Sequence, residues 1–183
     1  NGTATNRDIV KPTGTAVGDW LIIMGNVESV AGDFNDPTGF TEFFTHNAGS
    51  CIVNAWKRKV DGTEGATFNV SITSATGENM VLACHRYSGG DPTNIVHLVG
   101  TPGGGANATS HVIGEITTTQ ADCKIVALLG FDGGDGSPFT TSWTGGAEQD
   151  DLTQDVADGG RQSMSISLKD KGTPGATGAC TIT

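Results

Sequence analysis

The sequence predicts an all-β chain folded as an antiparallel two-sheet β-sandwich, jelly-roll or Ig-like, with about ten strands. Three observations predict it. The 183 residues include 28 glycines and only 16% charged residues, a profile of short strands joined by Gly-rich turns. Few segments run the length of a helix without meeting Gly or Pro, and a helix, which wants Ala, Leu, Glu and Lys, fits this composition poorly. Apolar segments recur at the spacing of about 8–12 residues expected of a sandwich or barrel. No composition shift and no short repeat divides the chain, so residues 1–183 read as one domain, long enough to bury a core without staples.

Each element follows from local pattern. Asp8–Val10 reads as a short strand closed by Lys11-Pro12. Asp19–Val27 is the first strong strand; the run from Trp20 to Met24 is apolar without alternation, which asks for cover on both faces. Ala31–Gly39 is a turn cluster, and Phe40–Thr45 is an aromatic-rich strand that breaks at Asn47-Ala48-Gly49. Cys51–Val60 is a long strand followed by the hairpin-type signal Asp61-Gly62. Thr67–Thr73 alternates Phe68, Val70 and Ile72 against polar residues, the mark of a half-buried strand. Asn79–Ser88 is again a strand, ended by Gly89-Gly90-Asp91-Pro92. Thr93–Thr109 is irregular and holds Gly103-Gly104-Gly105; Ser110–Thr117 resumes the strand pattern. Cys123–Phe131 is a second apolar run, which again asks for cover on both faces, and Asp132–Gly136 is an acidic loop. Phe139–Trp143, Glu148–Thr153 and Arg161–Lys169 are further strands, the last alternating Met164, Ile166 and Leu168 against Ser163, Ser165 and Ser167. Ala179–Ile182 closes the chain as a strand.

Charge narrows the partners. The formal net charge of −10 repels phosphate backbones and anionic lipid surfaces, so neither nucleic acid nor a membrane is expected as a partner. No run approaches the roughly 20 apolar residues of a membrane span. The chain starts at Asn1 without a signal-peptide pattern, and is read as processed, trimmed or one domain of a longer protein. Cys51, Cys84, Cys123 and Cys180 form no Cys-x-x-Cys pair, which excludes zinc knuckles and thioredoxin-like motifs. Three of them sit in apolar strand patterns, which favours buried free thiols, while their even number leaves two disulfides open. Asn1, Asn69 and Asn107 begin Asn-x-Ser/Thr sequons, which matter only in a eukaryotic secretory setting.

The chain carries no recognisable catalytic constellation. There is no Gly-x-Ser-x-Gly elbow, and His46, His85, His97 and His111 match no metal-ligand spacing. Cys84 and His85 are neighbours on one strand, so their side chains diverge to opposite faces and cannot form a dyad. Glu28, Glu42, Glu64, Glu78, Glu115 and Glu148 are scattered and read as a solvated rim rather than a glycosidase pair. Gly103-Gly104-Gly105 lacks the following Lys-Ser/Thr of a phosphate loop. No cofactor is expected. The densest acidic segments, Asp132 with Asp135 and Asp150-Asp151 with Asp155 and Asp158, offer oxygens for a structural Ca²⁺ but match no known calcium-loop spacing. Trp20 and Trp56 read as core, whereas Trp143, beside Gly145-Gly146, is expected to be exposed and to serve with Asp132 and Asp135 as a ligand-binding candidate, such as a sugar platform.

Several segments together carry a resemblance. They are Ile9-Val10-Lys11-Pro12 with Val17-Gly18-Asp19-Trp20-Leu21-Ile22, then Val53–Val60, then Leu82-Ala83-Cys84-His85-Arg86-Tyr87-Ser88-Gly89, with Thr117–Cys123 and Arg161–Lys169 continuing the pattern. The chain resembles a β-sandwich module of tailed-phage virion structural proteins: capsid decoration (cement) proteins, head fibres and tail-fibre domains. The resemblance spans most of the chain, and its motifs mark strand starts and turns rather than an active site. It implies a non-enzymatic protein on the virion surface, bound to other virion proteins such as the major capsid protein, as a homo-oligomer. The rival expectations are a carbohydrate- or receptor-binding module of a tail fibre or secreted adhesin, and a jelly-roll enzyme acting on polysaccharide.

Overall fold

In a computed structural model of the chain, residues 3–28, 33–74, 77–103, 110–132, 141–144, 154–158 and 162–183 are described. Among them there is no helix, and hence none long and apolar enough to cross a membrane. The strands, in chain order, are β1 (Thr3–Ala4), β2 (Asn6–Val10), β3 (Trp20–Glu28), β4 (Phe34–Asn35), β5 (Thr41–Asn47), β6 (Cys51–Lys59), β7 (Thr67–Ile72), β8 (Glu78–Tyr87), β9 (His111–Ile113), β10 (Thr117–Thr118), β11 (Cys123–Asp132), β12 (Thr141–Trp143), β13 (Gln154–Asp158), β14 (Gln162–Lys171), β15 (Gly175–Ala176) and β16 (Cys180–Ile182). The protein is all-β, and every strand pairing is antiparallel. The strands divide among five open sheets, and among the described residues none closes into a barrel.

The central sheet has the order β1-β8-β3-β6-β5. Its middle strand β3 is buried along almost its whole length, as its non-alternating apolar run requires. Side chains alternate across it. Leu21, Ile23 and Val27 face one way and pack with Phe68, Val70 and Ile72 of β7 and Phe34 of β4, from the β2-β7-β4 sheet. Ile22 and Met24 face the other way, against Met164, Ile166 and Leu168 of β14. The β11-β14-β13 sheet therefore covers the second face. A third cluster, Ile125 and Ala127 with Trp143, Cys180 and Ile182, seats the β12-β16-β9 sheet beyond it. Gly25 lets this packing close: a Cβ there would lie 2.9 Å from the Phe34 ring.

Three expectations change. Asp61-Gly62 is not a hairpin turn, because β6 and β7 belong to different sheets. The corner instead closes on side chains: Glu64 accepts from the amides of Asp61 (2.8 Å) and Gly62 (3.0 Å) and pairs with Arg58 Nε (3.2 Å). The apolar run of β11 is not covered on both faces; Val126 is 37% exposed, because β11 is an edge strand. The alternating strand β14 is the one buried on both faces, with Ser163, Ser165 and Ser167 all inside. Small hydroxyls there face a second packed layer rather than water. The strand expected at Glu148–Thr153 lies outside the described residues, and β4 occupies part of the expected turn cluster.

Candidate functional site

Trp143 is not the exposed platform its neighbouring glycines suggest. It is buried on β12, its Nε1 donates to Ser167 Oγ (2.9 Å), and the Lys169 ammonium lies 5.4 Å from its ring centre. Lys169 is itself buried and donates to the Thr177 carbonyl (2.9 Å). The indole is thus a core anchor with its polar edge satisfied. Asp132 is exposed at the end of β11 and accepts from Gln162 Nε2 (3.1 Å). Asp135, Asp150 and Asp151 lie outside the described residues, and Asp155 and Asp158 belong to β13. Among the described residues no cluster of His, Cys, Asp and Glu could hold a metal ion.

Several other chemical candidates have structural partners, whereas His46 Nε2 and His111 Nε2 are buried without one. Cys84 packs into the first core cluster while His85, on the opposite face, contacts the Tyr87 hydroxyl (3.4 Å). Glu28 accepts from Asn79, Glu78 from Ser74, and Glu42 from Asn54 Nδ2 (2.6 Å). Burial first, and then the nearby Asp36 and Asp33, push the Glu42 carboxyl up despite its bond to Asn54. Trp20 and Trp56 are core, as expected; Trp56 Nε1 donates to Asp36 (2.9 Å) and Trp20 Nε1 to the Asp91 carbonyl (2.9 Å). All four cysteines are free thiols. Asn69 is exposed on β7 and donates to Asp8 (2.8 Å); Asn1 and Asn107 lie outside the described residues.

A buried polar node links the layers. Asn26, fully buried on β3, reaches across to β14 and β11: its Nδ2 donates to Gln162 Oε1 (2.7 Å) and to the carbonyls of Ser163 (2.8 Å) and Phe131 (3.2 Å). Three acceptors share two protons, and the reversed amide would set its oxygen against all three; in this orientation the buried Oδ1 has no hydrogen-bond partner. The signal for this node was visible as one polar residue inside the apolar strand Trp20–Val27.

A groove of about 1090 Å³ runs along β11. All ten residues of β11 line it, with Phe43 and Phe44 of β5 on one wall and β9 and the segment before it on the other. Leu98, Val99, Val112 and Val126 are exposed large apolar residues that line it. Cys51, at one end, has its thiol pushed up by burial and secondarily by the Asp132 carboxylate. Ser110–Thr117 was legible as a strand, but the residues before β9 carry too little periodicity for this wall to be read from sequence. Comparison with protein-family models, with curated proteins and with solved structures returned no match.

Proposed function

We propose that the chain is a non-enzymatic structural protein of a tailed-phage virion surface, a capsid decoration (cement) or fibre protein of β-sandwich type, jelly-roll or Ig-like. On this reading it assembles as a homo-oligomer and stabilises the particle through contacts with the major capsid protein or other virion proteins. One observation carries the reading. Three of the segments that carry the resemblance, Val17–Ile22, Val53–Val60 and Leu82–Gly89, supply the adjacent strands β3, β6 and β8 of the central sheet, while Ile9–Val10 lies in β2 of the β2-β7-β4 sheet. Two of them are tied directly: Asp19 pairs with Arg86 Nε (3.2 Å) and accepts from the Ala16 amide (2.9 Å). Adjacency of these three segments in one sheet supports reading them as marks of the fold. With Trp143 buried, no exposed indole favours the sugar-binding reading.

The test is composition of the particle. Gradient-purified virions of the encoding phage, digested and analysed by mass spectrometry, are expected to contain this protein in fixed ratio to the major capsid protein. Its absence from purified particles overturns the proposal. Light scattering on the isolated chain is expected to give a symmetric oligomer.

A further inference from the structure

We infer that the free edge of β11 is a docking groove for an extended, apolar segment of a different protein, flanked by basic residues, which adds as a further strand to the β11-β14-β13 sheet. The inference goes beyond the virion reading and does not rest on it.

β11 pairs with β14 through all ten of its residues, and among the described residues nothing pairs with its other edge. Along a strand edge every second residue directs its N–H and C=O outward. Phe131 stands opposite Ser163, and one Asn26 amide reaches both carbonyls, so the odd-numbered residues of β11 face β14 and the outward row is Lys124, Val126, Leu128 and Gly130, about 20 Å at the usual rise per residue. A long apolar edge is an association hazard unless something covers it. Lys124 is the sole cation within this strand, and its ammonium is engaged by Asp170 across the sheet.

The walls define the occupant. Six large apolar residues are exposed among the described ones, and Leu98, Val99, Val112 and Val126 all line this one groove. A backbone ladder beside apolar walls fits a strand with apolar side chains at alternate positions. Asp122 and Asp132 stand at the two ends of β11, on a chain of net charge −10, which selects Lys or Arg at the ends of the incoming segment. The same charges disfavour a second copy. In the end-to-end register, centred on Ala127, a two-fold antiparallel pairing of β11 with itself sets Asp122 of one copy beside Asp132 of the other at both ends, and like charges placed opposite one another destabilise a strand pair.

The probe is the synthetic peptide Lys-Thr-Val-Thr-Val-Thr-Val-Thr-Val-Lys, with a second version N-methylated at alternate residues. Backbone amide exchange of the whole chain is read with each. The unmethylated peptide is expected to slow exchange across residues 123–130 by about tenfold or more, and the methylated one to leave it unchanged. Leu98→Asp and Val112→Asp, both at exposed positions and checked for native circular dichroism, are expected to weaken binding at least about fivefold. No protection of residues 123–130 in the folded chain, equal protection by the methylated peptide, or unchanged binding by both variants overturns the inference. A concentration-dependent doubling of mass that Val126→Lys abolishes also overturns it, and assigns the edge to a second copy.

Discussion

Asn26 joins two sheets through one amide, and the cost of losing it follows from what it leaves behind. Asn26→Leu strands the Gln162 side-chain oxygen inside the core, takes a second bond from the ladder carbonyls of Ser163 and Phe131, and removes a buried Oδ1 that has no partner of its own. A buried acceptor deprived of its donor costs about 1–3 kcal/mol, so this variant is expected to lose stability in that range, read as a lower urea midpoint with unchanged slope. The thiols make a second prediction at this scale. Burial pushes the Cys84 thiol up to about 12, and Cys51 is pushed up likewise. Cys123, only partly buried, is therefore expected to react first with iodoacetamide at pH 8, before Cys51, Cys84 and Cys180, as peptide mapping would show. Sequence favoured buried free thiols because three cysteines sit in apolar runs; all four are free, and Cys51 and Cys180 are buried while Cys84 and Cys123 are only partly so. Trp143 failed for the opposite reason: adjacent glycines describe the chain beside a residue, not the layer that packs on it.

The strands show which patterns survive tertiary context. A non-alternating run placed β3 at the centre correctly, because only a strand covered on both faces can bury consecutive apolar residues. The same rule misplaced β11, an edge strand, and the alternation of β14 gave no sign that both of its faces are buried. Serine is small enough to sit between packed layers, so a Ser/apolar alternation does not distinguish a wet face from a dry one. Asp61-Gly62 reads as a tight hairpin locally, but which sheet receives the next strand is decided by non-local pairing that no turn signal encodes. Gly130 shows how close β11 comes to the central sheet: a Cβ there would run into Val53 Cγ2 and approach Asn26 Oδ1 to 2.7 Å. Gly130→Ala is therefore expected to destabilise by about 1–3 kcal/mol in chemical denaturation, whereas Gly103→Ala, where a Cβ meets nothing within 4 Å, should be near neutral.

For the molecule as a whole, all-β architecture was legible because composition and spacing report it, while the division into five sheets was not, because sheet membership depends on contacts between distant segments. One global property does follow from buried groups. The Cys84 thiol is raised from 9.0 and the Tyr87 phenol from 10.0, each to about 12, by burial. In the unfolded chain both lose their protons earlier. The stability they confer is thus complete below about pH 9 and is lost as pH rises toward 12. Urea midpoints are expected to fall steadily between pH 8 and pH 11, and Cys84→Ala is expected to flatten that decline.

The cover on both faces of the central sheet also sets an order of events during synthesis. β3, β6 and β8 and the β7 layer come from the first 87 residues, so one side of the sheet can close early. The side bearing Ile22, Met24, Val81 and Ala83 must wait for Met164, Ile166 and Leu168 of β14, far along the chain. Until that strand leaves the ribosome, the nascent chain carries a half-finished core with a bare apolar sheet face, the kind of surface that chaperones bind and that seeds aggregation when synthesis stalls.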